Sequence, residues 1–442
     1  MVNKIKIKKG LDIPLSGEAS DTVTTDGTTS VFAVVPDDFP GYTWKVAVKA
    51  GDTVSIGDQL LYAKEDEDIR LVSPVAGTVT EIRRGERRKI EYVSVERNGE
   101  QTQADFSDMK DDTLKLLKRS GLFALIRQRP FDSVPFAGAV PRDIFVTAFD
   151  TAPLAPSLIS EDVAGHYDAG IKAISTLTSG KVYLSVPAGS DITSRHAEIY
   201  SVEGPHPAGN VGPQIAAISP VNKGESVWTL DIVTAARIGR LVTGSRLDFS
   251  TTVALTGPDI SSPHEVKTVA GAKLSTLLAG ELVKKDSNVR VISGNVLTGH
   301  KVSVEEGFLR YPYRQITAID EGDHADEFMG WASINPAKYS VKRTFPGFLH
   351  NFGKPFRFDA RVKGGHRAMI MSGEYDKVFP FDIYPEYLLK AIMAKDIEKM
   401  EQLGIYEVAP EDFALPEFVD TSKIELQKVV RDGLDYLRKE TL

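Results

Sequence analysis

The chain has 442 residues, no cysteine, and 53 basic against 61 acidic side chains, a formal charge of −8 at pH 7. Its length sets an expectation of about three domains, and 42% apolar with 26% charged residues suits a chain that buries sizeable cores. The lack of cysteine excludes a disulfide framework, thiolate zinc or iron–sulfur sites and a cysteine nucleophile. The acidic balance argues against general nucleic-acid binding, which is Lys and Arg work.

The opening Met1–Gly10 is basic with Ile5 and Ile7 alternating, and no apolar core follows it. It reads as neither a signal peptide nor a transit helix. No run approaches the ~18 apolar residues of a membrane span, so the expectation is a cytoplasmic chain that reaches a membrane only through partners.

Residues 31–105 are dense in short strand-like runs separated by Gly–Asp and Pro–x–x–Gly turns, the signature of a small all-β module. The pattern V-x-x-G-D-x-V-x-x-G-D-x-L from Val48 to Leu60, followed by S-P-x-x-G-x-V from Ser73 to Val79, resembles biotinyl/lipoyl carrier domains. A carrier presents a modified lysine at a hairpin tip. The lysine here, Lys64, precedes Glu65-Asp66-Glu67-Asp68 and lies ten residues before Pro74. The tip therefore reads as enlarged and acidic, and the fold as one borrowed for docking or structure, with a covalent carrier as the competing reading.

Residues 106–250 predict a Rossmann-type α/β domain. Ile144–Phe149 and Val182–Val186 read as buried strands around a helix capped by Ser160, with Val163, Tyr167, Ile171, Ile174 and Leu177 on one face and Gly180 as its stop. Val227–Leu230, a helix over Thr234–Val242 and Thr252–Leu255 continue the alternation. The first strand leads into Asp150-Thr151-Ala152-Pro153 with no G-x-G-x-x-G, so the usual dinucleotide site is missing. There is no G-x-x-x-x-G-K-[ST] loop and no G-x-S-x-G elbow.

Residues 251–330 predict a β-grasp module, with strands at Arg290–Ile292, Lys301–Val304 and Gln315–Ile319 around a helix over Ser275–Leu282. Residues 331–442 end in a predicted helical bundle: one helix from Pro385 to Leu403 stopped by Gly404, and a last one from Ser422 with Glu425 completing a capping box. Residues 1–30 are expected to pack with the domain that follows the barrel.

The eight histidines show no metal-ligand spacing. The loop Gly204-Pro205-His206-Pro207-Ala208-Gly209-Asn210-Val211-Gly212 fits a polar pocket at a helix N-terminus or a rigid turn, and both readings stay open. The basic run Arg83–Lys89 is either a seat for an acidic partner or a solvated hairpin tip. Arg127, Arg129 and Phe131 either hold a polar-headed, ring-bearing ligand or pin a linker between domains.

Together these segments carry a family resemblance. K-I-K-K-G-L-D-I-P-L-S-G from Lys6, R-R-G-E-R-R from Arg83, S-G-L-F-A-L-I-R-Q-R-P-F from Ser120, G-P-H-P-A-G from Gly204 and G-H-R-A-M from Gly365 occur in order along nearly the whole chain. Trp228-Thr229-Leu230, Ile238-Gly239-Arg240-Leu241 and Gly271-Ala272-Lys273 join them. The chain resembles the A subunits of the sodium-translocating NADH:quinone oxidoreductases, and the β-grasp module is then SLBB-like. The resemblance implies a cofactor-poor member of a six-subunit complex on the cytoplasmic face of a bacterial inner membrane. Flavins and iron centres belong to the other five subunits, chiefly the membrane-embedded B subunit forms the docking partner, and ubiquinone is the electron acceptor. Arg127, Arg129, Phe131, His206 and Gly209 become quinone-site or interface candidates, with no catalytic or metal-binding residue expected in this chain.

The departures from that family's kin are specific. The complex I relative follows Ser-Gly-Leu with a glycine-rich flavin loop, where this chain has Phe123-Ala124-Leu125-Ile126-Arg127. Where many members keep C-x-F-V-C, this chain has Pro416-Glu417-Phe418-Val419-Asp420. A free-standing scaffold or carrier-like protein built from the same folds is the alternative reading.

Overall fold

The computed structural model describes residues 3–109, 111–283, 288–323, 335–343, 346–347 and 353–441. The first 30 residues split between two bodies. β1 (Asn3–Lys6) runs parallel to a strand of the α/β sheet, whereas β2 (Val23–Thr25) adds to the sheet that follows it. The expected packing against the α/β domain alone thus covers only part of this segment.

The β-rich module holds β3 (Val31–Val34), β4 (Trp44–Val46), β5 (Thr53–Val54), β6 (Gln59–Ala63), β7 (Asp66–Val72), β8 (Gly77–Arg84) and β9 (Ile90–Arg97). They form two sheets, β3-β9-β8-β5 and β4-β6-β7. Alternation along the strands buries Phe32, Leu61, Ile69, Val79, Val93 and Val95 between them.

After α1 (Thr113–Arg119) come β10 (Arg127–Arg129), β11 (Asp143–Thr147), α2 (Glu161–Ile174), β12 (Val182–Pro187), β13 (Glu198–Glu203), α3 (Val211–Ile218), β14 (Val227–Asp231) and α4 (Ile232–Gly244). The sheet order is β1-β13-β12-β11-β14-β10, parallel throughout except at the β10 edge. Ser160 caps α2 through Val163 N–H at 3.3 Å, and Asp231 caps α4 through Thr234 N–H at 2.7 Å. One sheet face carries Ile144, Val146 and Leu184 into the main core, and the other carries Phe145 and Tyr183 against α3. Such a sheet, covered on both faces, reads in sequence as near-continuous apolar runs.

Helices α2 and α4 touch at two glycines. A Cβ on Gly170 would meet Ala235 O at 1.8 Å, and one on Gly239 would meet His166 O at 2.0 Å. Each helix therefore lays backbone directly on the other.

The third body contains β15 (Ser250–Thr256), β16 (His264–Val269), the single turn α5 (Leu274–Leu277), β17 (Val289–Ser293), β18 (His300–Lys301) and β19 (Gln315–Asp320), in sheet order β18-β17-β19-β15-β16-β2. Two sequence expectations shorten here. The helix foreseen over Ser275–Leu282 stops after Leu277, where Gly280 takes φ +82° and turns the chain. The strand foreseen over Lys301–Val304 ends at Lys301.

The C-terminal core gathers Leu388, Ile392, Met400, Phe413, Leu415, Val430 and Leu434 from α6 (Pro385–Met393), α7 (Ile397–Gln402), α8 (Ala414–Val419), α9 (Leu426–Thr441) and the turn before α8. The single helix expected from Pro385 to Leu403 is two. Lys395 turns at φ +55°, and Asp396 starts α7 by accepting Lys399 N–H at 3.2 Å. The last helix begins four residues beyond the expected Ser422. That hydroxyl donates instead to Ala368 O at 3.0 Å, so it caps nothing.

Candidate functional site

β10 is the point where the bodies meet. Its two arginines make separate sets of contacts. Arg127 donates to Ala124 O at 3.1 Å and Asp38 O at 2.5 Å, with its guanidinium 5.9 Å from the Phe39 ring centroid and 5.4 Å from that of Tyr311. Those rings stack on each other at 5.2 Å and 15°. Arg127 thus ties the barrel, through Asp38 and Phe39, to the third body, through Tyr311.

Arg129 turns toward the C-terminal helices and is 1% exposed. Its two terminal nitrogens reach Asp412 Oδ2 at 2.6 Å and Glu411 Oε1 at 2.7 Å. Burial works against its charge, yet the Asp412 and Glu411 carboxylates outweigh this and hold its pKa above the ordinary arginine value. Two residues on, Phe131 sits at φ +83° and buries its ring in the C-terminal core, 5.8 Å from Phe136. From α9, Arg431 donates to Phe131 O at 2.6 Å and Arg438 to Gly41 O at 2.5 Å. The strand and its turn work as a rivet.

His206 and Gly209 lie elsewhere, where the N-terminal segment crosses the end of the α/β sheet. Leu11 N–H donates to His206 O at 2.8 Å, and His206 N–H donates to Asp12 Oδ1 at 2.9 Å. The Thr151 hydroxyl lies 3.1 Å from His206 Nδ1 and accepts Gly209 N–H at 2.9 Å. A Cβ on Gly209 would stand 2.5 Å from Thr151 N, so backbone contact dictates glycine there. The structure therefore brings Arg127, Arg129 and Phe131 together, and His206 with Gly209, as two separate groups.

Burial lowers the His206 pKa against the pull of Asp150 and Asp12. A depressed histidine contributes stability above its unfolded pKa of about 6.5 and loses it as pH falls toward the folded value. His206→Asn should flatten the loss of stability below that pH, read as urea midpoints across a pH series. Equal slopes in variant and parent would mean that His206 keeps its ordinary pKa when folded.

Lys64 stands in a two-residue turn between β6 and β7, so the tip is tight where the sequence suggested an enlarged one. The acidic run explains the misreading. Asp66 pairs with Lys118 at 2.7 Å and Asp68 with Arg119 at 3.0 Å, so the hairpin is fastened to α1. The basic run Arg83–Lys89 is a hairpin end between β8 and β9, with Lys89 reaching Asp37 at 2.6 Å.

Position 420 holds a buried carboxylate. Asp420 accepts from Tyr375 OH at 2.9 Å, Ser422 N–H at 3.1 Å and Ile424 N–H at 2.8 Å, knitting the turn before α9. Among the described residues, no group of three His, Asp or Glu side chains is arranged to hold a metal ion.

A cavity of about 70 Å³ opens where barrel, α/β body and third body join. Asp38, Phe39 and Leu71 line it from the first, Gly121 and Arg237 from the second, and Phe249, Thr251 and the segment Leu309–Arg314 from the third. Sequence reasoning missed this site. Its signals were Arg237 and Arg240 within the otherwise apolar Ile232–Val242, and the repeat Arg310-Tyr-Pro-Tyr-Arg314.

Three family models match: NqrA N-terminal barrel-sandwich hybrid domain over residues 5–98, NqrA second alpha/beta domain over 109–247, and an SLBB model described as NQRA C-terminal domain over 252–304. The chain is 36% identical to the A subunit of the Na(+)-translocating NADH-quinone reductase from Neisseria meningitidis serogroup B, over 99% of its own length and 100% of the relative's. The proteins of the same name from Hahella chejuensis and Pasteurella multocida match at the same identity and coverage. A chain of an NAD+-reducing [NiFe]-hydrogenase is similar over 68% of this chain and 55% of its own, at 10% identity and a TM-score of 0.31, a likeness too slight to support any argument.

Proposed function

The chain belongs to the NqrA family, the A subunits of the Na(+)-translocating NADH-quinone reductases, and from that premise we propose that it is the docking, cofactor-poor member of such a complex. In this reading it sits on the cytoplasmic face of the inner membrane, held chiefly by the membrane-embedded B subunit. The other five subunits carry flavins and iron centres that take electrons from NADH to ubiquinone and couple this to sodium export. The observation that carries the reading is that the likeness runs end to end, over 99% of this chain and 100% of the relative.

The surface supports docking. No described helix is long and apolar enough to cross a membrane, so in this reading attachment falls to partners. Of the ten large apolar side chains exposed among the described residues, seven lie between residues 341 and 393. Ile370 and Met371 belong to a segment whose Ser372 and Gly373 N–H groups both donate to Glu386 Oε1 at 2.9 Å. That bond sets them beside α6, which carries the exposed Tyr387 and follows the exposed Tyr384. An apolar face of this kind marks a partner surface.

Within this reading the five sequence candidates serve quinone access as a frame. Arg127, Arg129 and Phe131 fix the C-terminal helices to the Rossmann-type body, and His206 with Gly209 fixes the N-terminal segment. The surface presented to the quinone-reducing end of the complex thereby keeps one shape. Affinity purification of the tagged chain from detergent-solubilised membranes should bring the other subunits down in stoichiometric amounts. Recovery only from the soluble fraction would favour the free-standing scaffold. Photolabelling of the assembled complex with a ubiquinone analogue should place label on this chain, and label confined to the B subunit would leave it a docking role alone.

A further inference from the structure

The cavity at the three-body junction has an unbalanced wall. Three arginines line it, Arg237, Arg310 and Arg314. Two have carboxylates of their own: Arg310 Nε reaches Asp38 Oδ1 at 2.7 Å, and Arg314 Nη1 reaches Asp231 Oδ2 at 2.6 Å. Asp38 is spent further on Tyr311 N–H at 3.0 Å, and Asp231 on the cap of α4.

Arg237 is the third, and it is 3% exposed. It donates from Nη2 to Ser250 O at 3.0 Å, while its Nε is buried with no hydrogen-bond partner. Among the described residues no carboxylate forms an ion pair with it. Burial, followed by the repulsion of Arg314, pushes its pKa down to about 10. Asp231 pulls the other way from beyond ion-pair distance, and a buried guanidinium with a free donor and no direct carboxylate partner is an expensive group to keep. It is also the donor fork that binds planar or tetrahedral oxyanions through two parallel bonds.

We propose that this cavity is a binding site for a small oxyanion group, phosphate or carboxylate, held by Arg237 between Thr251 and the Arg310–Arg314 segment. The oxyanion answers the charge that the protein leaves open, and the cavity's volume fits a group of that size rather than a nucleotide. Leu71, Leu125, Phe249 and Leu309 supply apolar walls beside it, so the same site accepts either a free anion or the anionic end of a molecule with an apolar body. Such a site is independent of membrane docking and belongs to the chain itself.

Thermal unfolding and titration calorimetry of the purified full chain test it, with inorganic phosphate, acetate and benzoate compared against chloride at equal ionic strength. Phosphate or acetate should raise the unfolding temperature above the chloride control, since a ligand of the native state stabilises by mass action. Benzoate binding more tightly than acetate would assign the site to the end of an apolar-bodied ligand, and the reverse would assign it to a free anion. Arg237→Met should fold and lose affinity by about tenfold or more, the worth of a charge-assisted bond. Arg237→Lys, which keeps charge and loses the fork, should retain part of the effect. No oxyanion response in the parent chain, or an undiminished one in Arg237→Met, would overturn the proposal.

Discussion

Replacing Arg129 by alanine should lower the unfolding free energy by about 3–5 kcal/mol at neutral pH, the cost of leaving a buried charge without its partner. Asp412 is the charge in question. Its side chain is 0% exposed, and among the described residues its Oδ2 receives Arg129 at 2.6 Å and the Ala409 N–H at 2.8 Å. Glu411 contributes less to the cost, because its side chain is 38% exposed and water screens it. Urea unfolding of the two proteins measures the difference.

Acidification should change the size of this effect. Burial pushes the Asp412 carboxyl up, and Arg129 is the main group pulling it back. Without the arginine, the folded pKa rises further above the unfolded value of about 3.9. A carboxyl raised in this way costs stability at pH above its unfolded pKa, and the cost fades as pH falls toward that value. The deficit of Arg129→Ala should therefore shrink on acidification. The double variant Arg129→Met with Asp412→Leu should recover most of the loss, because an apolar pair replaces a buried ion pair at little cost. A deficit that stays constant with pH would mean that lost packing, and no stranded charge, sets the cost.

The second large effect belongs to the α2–α4 contact. Gly239→Val should destabilise by about 3 kcal/mol or more, at the upper end of what overpacking costs. Glycine in a helix interior gives up roughly 1 kcal/mol of propensity against alanine, so a larger residue would help if space allowed. It does not, because even a Cβ at 239 would stand 2.0 Å from His166 O and 3.0 Å from Gly170 N. Both obstacles are backbone, and no rotamer change relieves them, so the helices must move apart. Gly170→Val should behave alike, with its Cβ 1.8 Å from Ala235 O. Exposed Gly165 on the same helix faces open space, and Gly165→Ala should be neutral or mildly stabilising by the same thermal-melt comparison.

The elements with strong local signals were legible in the sequence. Ser160 and the stripe Val163, Ile171, Ile174 specify α2, and the Gly–Asp turns at Gly51 and Gly57 specify the barrel hairpins. What escaped depends on contacts far away in the chain. Ser422 resembles a cap until its hydroxyl is seen to bond Ala368, and Lys395 resembles helix interior until its backbone turns left-handed. Asp66 and Asp68 resemble an acidic tip until α1 arrives with Lys118 and Arg119.

The candidate residues followed the same rule. The Ser120–Phe131 motif contains β10, where barrel, α/β body and C-terminal helices converge. Its partners could not be read in advance, because Asp412 lies 283 positions from Arg129. Arg237 was harder still. An arginine in a largely apolar helix has no meaning until Asp231 and Asp38 are seen to be taken by other arginines.

In the proposed role, this chain serves its complex by shape and docking and brings no redox centre of its own. Reconstitution tests that most directly. Membranes that carry the other five subunits and lack this one should oxidise NADH with an artificial acceptor yet fail to reduce ubiquinone. Adding the purified chain, verified by absorbance and mass to hold no flavin or metal, should restore quinone reduction. Restoration only after the chain has been loaded with a flavin or a metal would contradict the proposed role.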